Sequence, residues 1–119
     1  MRRSAELQPE IYPLPALRKP WFKRNTIVCG EGWSVQYSGS SWRVDRYDYF
    51  ENGRQIVFSG EGAAGQMDIF LYPHLAWEDS PDKNVDELTR QRVLHNITAA
   101  LQWAGFSVGF FPMSNPTTH

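Results

Sequence analysis

Asn52-Gly53 sits between two runs of alternating side chains, Val44–Glu51 and Arg54–Glu61. No other feature limits the fold of this chain as tightly. A two-residue turn of type I′ needs positive φ at both central positions, and Asn-Gly is the pair that adopts it at least cost. The two runs are therefore expected to form an antiparallel hairpin. A second turn of small residues, Gly62-Ala63-Ala64-Gly65, leads into Met67-Asp68-Ile69-Phe70-Leu71-Tyr72, which extends the hairpin to a three-stranded meander. Alternation places Ile56, Phe58, Met67, Ile69 and Leu71 on one face. Gln55, Val57, Ser59, Glu61, Asp68, Phe70 and Tyr72 take the other. That second face is only partly polar, so it is either covered or a contact surface.

Two short extended segments, Thr26–Cys29 and Trp33–Tyr37, precede the meander, with Gly30, Gly32 and Ser38-Gly39-Ser40-Ser41 as punctuation. After it, Asn84-Val85-Asp86-Glu87 reads as a capping box with Asn84 at the N-cap. Leu88, Val93, Leu94, Ile97, Ala100, Leu101 and Ala104 follow at helical spacing, and Gly105 is the expected stop. Phe106–Phe111 reads as a final strand ended by Pro112. This order predicts an α+β fold: an antiparallel sheet of four to five strands, one long C-terminal helix on one face, and a strand after it. The final strand has two candidate neighbours, the Trp33 strand (antiparallel) and the Met67 strand (parallel). The antiparallel pairing is favoured because such pairs are commoner.

The chain divides into an extended, proline-rich basic arm (1–24), a single domain (25–111) and a flexible tail (112–119). Pro9, Pro13, Pro15 and Pro20 make the arm unsuited to helix or central strand. Leu14, Leu17, Trp21 and Phe22 predict that its end docks on the body. Residues 1–24 carry six basic and two acidic side chains, and the remainder six basic and eleven acidic. An acidic body does not grip phosphates, so no nucleic acid is expected as partner. Aromatic residues make up 14% of the chain, enough to build a core without a metal or disulfide staple. The single Cys29 excludes an internal disulfide, reads as a small buried hydrophobe and fits a reducing compartment. No signal peptide or membrane span is visible, which makes a cytoplasmic protein the expectation.

The motifs that carry chemistry are weak. His74, Glu78, Asp79 and Asp82 cluster in one loop, but no second histidine stands at ligand spacing. Residues 74–84 also hold no glycine, which an EF-hand loop needs. No metal and no cofactor are expected. Gly60-Glu61-Gly62-Ala63-Ala64-Gly65 has the spacing of a dinucleotide loop but joins two strands, without the helix N-terminus that receives the phosphates. No nucleophile-elbow pattern occurs. Arg18–Arg24 mixes cations with Trp21 and Phe22 and is read as a soluble docking arm in preference to a base-stacking or membrane-binding segment. Arg92 and Asn96, four apart on the helix, are either a polar flank or, with His74, a small-ligand site between helix and sheet. No cysteine or serine stands at a recognisable catalytic spacing from His95 in the sequence.

Trp77-Glu78-Asp79-Ser80-Pro81-Asp82 concentrates acid beside an indole where sheet gives way to helix. Tyr47, Asp48 and Tyr49 offer a second acidic and aromatic stretch. Aromatic side chains supply contact area at low rotamer entropy, so Tyr47, Asp48, Tyr49, Trp77, Glu78 and Asp79 are the candidate contacts to a protein partner. Trp77 divides between contact and core.

Glu51-Asn52-Gly53-Arg54, Ile69-Phe70-Leu71-Tyr72, Trp77, Arg92–Ile97 and Ala99-Ala100-Leu101 together resemble small immunity proteins of bacterial polymorphic-toxin systems. The resemblance covers somewhat under half of the chain, and residues 1–24 have no counterpart in it. It implies an α+β protein that is not an enzyme and neutralises a cognate toxin domain by occlusion. Two alternatives stay open. One is a ligand-binding domain or enzyme with its site at His74, Arg92 and Asn96. The other is a phage or assembly component that oligomerises through an edge strand.

Overall fold

A computed structural model describes residues 17–18, 25–29, 32–40 and 43–114. Seven strands and one helix follow in chain order: β1 (Leu17–Arg18), β2 (Thr26–Cys29), β3 (Trp33–Ser38), β4 (Val44–Glu51), β5 (Arg54–Ala63), β6 (Gln66–Leu71), α1 (Glu87–Trp103) and β7 (Ser107–Pro112). The strands form a single sheet in the same order as the chain. The α+β class, the single C-terminal helix and the strand after it agree with expectation. The sheet is wider than the four to five strands expected. Part of the gain is β1, because Leu17 and Arg18 of the arm pair with Cys29 and Val28 of β2. Docking of Leu14, Trp21 and Phe22, the rest of the Arg18–Arg24 patch, the packing of the Cys29 side chain and the end of the tail lie outside the described residues.

The predicted hairpin forms in the register that a two-residue loop dictates. Glu51 pairs with Arg54, Tyr49 with Ile56 and Tyr47 with Phe58. Asn52 and Gly53 both take positive φ, as type I′ requires. The β5–β6 turn has the same form, with Ala64 at φ 53° and Gly65 at φ 84°. A bulge between Val44 and Arg46 shifts the β4–β5 register by one residue. Close to it, Gly60 passes so near β6 that a Cβ there would meet the Asp68 carbonyl and lie 2.9 Å from the Tyr47 ring.

β7 pairs in parallel with β6, Gln66 opposite Ser107 through Leu71 opposite Pro112. This corrects the antiparallel pairing with β3. The helix is the reason: a chain that leaves β6, crosses the sheet face as one helix and returns beside β6 must run in the same direction. The ladder also runs past the expected domain end, since the Met113 amide donates to Leu71 O at 2.8 Å.

The helix N-cap is Asp86, not Asn84. Asp86 Oδ1 accepts the Thr89 amide at 2.8 Å, while Asn84 Oδ1 accepts the amide of Leu75. At the C-terminus, Gly105 (φ 99°) donates to Gln102 O and Phe106 to Leu101 O, the two bonds of a Schellman motif. Val93, Ile97, Ala100 and Leu101 enter the core, whereas Leu88 is 76% exposed and leaves the set predicted from spacing.

The helix touches β7 on one flank and β2 and β3 on the other. A flat sheet with strands about 4.8 Å apart would hold those elements too far apart for one helix to reach both. The sheet therefore curls around the helix, and Tyr37 of β3 meets Phe106 edge-on at 5.5 Å. Ile56, Phe58, Met67 and Ile69 are buried on the concave face as predicted, and Leu71 is partly buried against them. On the convex face Val57, Phe70 and Tyr72 are half-buried.

Candidate functional site

The elbow between β6 and α1 is held by backbone bonds and one buried ring. Glu78 donates its amide to Gln55 O of β5 at 2.7 Å, and Val85 donates to Leu75 O at 2.7 Å. Within the loop Ser80 bonds back to Trp77 and Lys83 to Ser80. Trp77 is 8% exposed and packs 6.4 Å from the Tyr49 ring. Its other partner is Arg54, whose guanidinium lies 4.7 Å from the indole centroid. Such stacking contributes roughly 0.5–1 kcal/mol where the cation stays exposed. Arg54 then grips Asp79 with two bonds, Nε to Oδ2 at 2.9 Å and Nη2 to Oδ1 at 2.8 Å. The Arg54 bonds, aided by the Ser80 hydroxyl, hold the Asp79 carboxyl below its ordinary range. Arg54, Trp77, Lys83, Asp86 and Thr89 are among the residues that line an open cleft of about 280 Å³.

The candidate contact residues part company here. Glu78 and Asp79 are exposed. Tyr47, Tyr49 and Trp77 are buried, and Asp48 is 6% exposed. The three rings are therefore core, which removes them from the accessible surface. The Tyr47 hydroxyl donates to Glu61 O at 3.2 Å and lies 3.5 Å from the Met67 sulfur. Asp48 accepts from Arg46 Nε and from Gln55 Nε2 at 3.1 Å. Burial pushes the phenols of Tyr47 and Tyr49 well above their ordinary pKa, so both remain neutral donors. Besides Glu78 and Asp79, the surface around the elbow presents Asp82, Asp86, Glu87 and the side chain of Leu88. The exposure of Leu88 escaped a reading based on spacing. Its signal was the cap: with Asp86 at the N-cap, Leu88 is a first-turn residue half a helical rotation from Ile97.

His74, Arg92 and Asn96 do not converge on a common point. His74 Nε2 lies 2.8 Å from Pro81 O. Arg92 Nη2 pairs with Glu51 Oε2 at 2.8 Å. Asn96 Nδ2 donates to the Tyr49 hydroxyl at 2.8 Å, and that hydroxyl donates to Glu51 Oε1 at 2.7 Å. Arg92 and Asn96 are thus engaged in a clamp of four side chains that fixes the helix to β4. Arg90 adds a further tie, donating to Tyr72 O at 3.2 Å.

Among the described residues no group of three or more His, Cys, Asp and Glu side chains is placed to hold a metal ion. No helix among them is long and apolar enough to cross a membrane. No family model, curated protein or solved structure matches the chain.

Proposed function

We propose that this chain is a non-enzymatic protein-binding domain whose elbow engages a basic partner, in the manner of an immunity protein that occludes a toxin domain. The observation that carries this reading is a row of exposed carboxylates on a loop that is already rigid. Glu78, Asp82, Asp86 and Glu87 stand at the surface of a segment fastened to β5, to Leu75 and to its own turns. A surface organised before binding loses little entropy on association. The carboxylates would chiefly raise the association rate. Leu88, exposed in the first helical turn, supplies the apolar contact that slows dissociation. Buried Trp77 serves this reading as the pin that holds the loop. The engagement of Arg92 and Asn96 by Glu51 and Tyr49 gives the ligand-site alternative no comparable support.

The test separates charge from fold. Glu78→Lys with Asp82→Lys reverses two exposed charges and spares Asp79, whose loss would also release Arg54. Cross-linking capture from native lysate by the wild type and by this variant, at low and high salt, should recover a partner whose association weakens with salt. The double variant should lose about tenfold or more in affinity. Co-expression with a toxin-like domain encoded beside this chain should restore growth for the wild type and fail for the variant. A partner bound equally by both, at either salt concentration, would show that the elbow is not the contact.

A further inference from the structure

We propose that β7 pairs with β7 of a second copy of this chain, antiparallel about a two-fold axis at Gly109, joining two sheets edge to edge. The inference rests on the backbone of β7 and is independent of the elbow.

Among the described residues β7 is the last strand of the sheet, with β6 as its neighbour. The amides of Ser107 and Met113 donate toward the β6 side, to Gly65 O at 2.9 Å and Leu71 O at 2.8 Å. Successive residues of a strand point their backbone groups to opposite sides. The N–H and C=O of Val108 and Phe110 therefore face the open edge, together with the carbonyl of Pro112. Pro112 has no N–H, so the usable ladder is Val108 to Phe110. Its centre is Gly109.

That ladder is self-complementary. In an antiparallel pair about Gly109, Val108 faces Phe110 of the other copy and Phe110 faces Val108. Each of these two pairs exchanges both of its N–H···O=C bonds, four in all. Gly109 meets its own copy at the axis as a non-hydrogen-bonded pair, the closer kind, at about 4.5 Å between Cα atoms. A residue without a side chain suits that approach. On the convex face Phe111 is 48% exposed, and its ring comes within 3.3 Å of where a Gly109 Cβ would stand. Both Phe111 rings thus lean toward the bare centre of the pair.

Ser107-Val108-Gly109-Phe110-Phe111-Pro112 holds no charged residue, and the charge nearest the axis is Asp68 of β6, whose Oδ1 lies 3.4 Å from where a Gly109 Cβ would stand. Exposed edges are normally blunted by shortness, charge or bulges. β7 has six residues, unbroken and uncharged, with a proline at the far end alone.

The test uses the full chain. Sedimentation equilibrium over a concentration series should show a monomer–dimer equilibrium. Phe111→Glu, which adds two carboxylates beside the Asp68 pair near the axis, should raise the dissociation constant about tenfold or more and leave the circular dichroism and the unfolding transition of the monomer in place. In a Cys29→Ser background, Gly109→Cys should cross-link into a covalent dimer on mild oxidation, because the Cα separation at the axis falls within the range a disulfide spans. A wild type that stays monomeric throughout the series overturns the proposal. So does a dimer that Phe111→Glu leaves intact and Gly109→Cys fails to cross-link.

Discussion

The Tyr49 hydroxyl has no access to water, and its satisfaction comes entirely from Glu51 and Asn96. Removing it leaves the Asn96 amide without its acceptor in a half-buried site, while Glu51 Oε1 keeps the bond from Arg92 Nε at 3.3 Å. A lost partner of this kind costs more than an average hydrogen bond, about 1–3 kcal/mol, because the remaining group is desolvated without compensation. Tyr49→Phe should therefore lower the unfolding free energy by that amount, read as a lower urea midpoint with an unchanged slope. Asn96→Ala in the Tyr49→Phe background should cost much less than it does alone, since the two side chains share one bond. Additive losses would mean that the clamp is not coupled. The same residue shows what a reading of the chain could reach. A two-residue loop at Asn52-Gly53 makes position 49 face position 56 and position 47 face position 58. The core positions of Tyr47 and Tyr49 follow from that turn, although their acidic neighbours suggest a surface. Asp48, between them, points to the convex face, where Arg46 and Gln55 satisfy it.

Elements were legible wherever one local signal stood alone. The hairpins, the helix stop at Gly105 and the concave face all formed where turn chemistry and period-2 alternation placed them. The helix start lies at Asp86, two residues beyond the expected Asn84. A tertiary bond decided between them, since Asn84 is taken by Leu75 of the preceding loop. The choice has a measurable consequence. The Thr89 backbone bond, then the Thr89 side chain, draw the Asp86 carboxyl below its ordinary 3.8. The folded state then binds fewer protons at this site than the unfolded state. Its contribution is fully present above about pH 4 and is lost as the pH falls through the folded-state value. Asp86→Asn keeps a capping oxygen without a titrating proton. It should match the wild type in thermal midpoint at pH 7 and show a shallower decline in acid. Asp86→Ala should be less stable at pH 7. Asn84→Ala should also be less stable, by an amount that does not change below pH 4. A wild-type acid profile in both Asp86 variants would remove Asp86 from the cap.

At the scale of the whole molecule, a sheet ordered as its sequence has mostly local pairings. Six strands are added one hairpin at a time, and only β7 must wait for a helix to cross. Local contacts cost little loop entropy and form early, while β6–β7 pairing brings together segments separated by the elbow and the full helix. The parallel pairing was hidden from a residue-by-residue reading for the same reason, because nothing within β7 states which strand it will join. The β4–β5 hairpin should therefore belong to the folding nucleus, and β7 should dock after the rate-limiting step. Gly53→Ala strains a residue held at φ 78° and should slow folding, with a φ-value of about 0.5 or more. Val108→Ala trims a side chain packed against the core and should mainly speed unfolding, with a φ-value of about 0.3 or less. Stopped-flow chevrons on both variants decide the matter, provided each costs more than about 0.6 kcal/mol at equilibrium. Low protein concentration keeps any β7 self-pairing out of the kinetics. If Val108→Ala slowed folding as much as Gly53→Ala, the helix crossover would have to form before the barrier. The curled sheet would then close around a helix already in place.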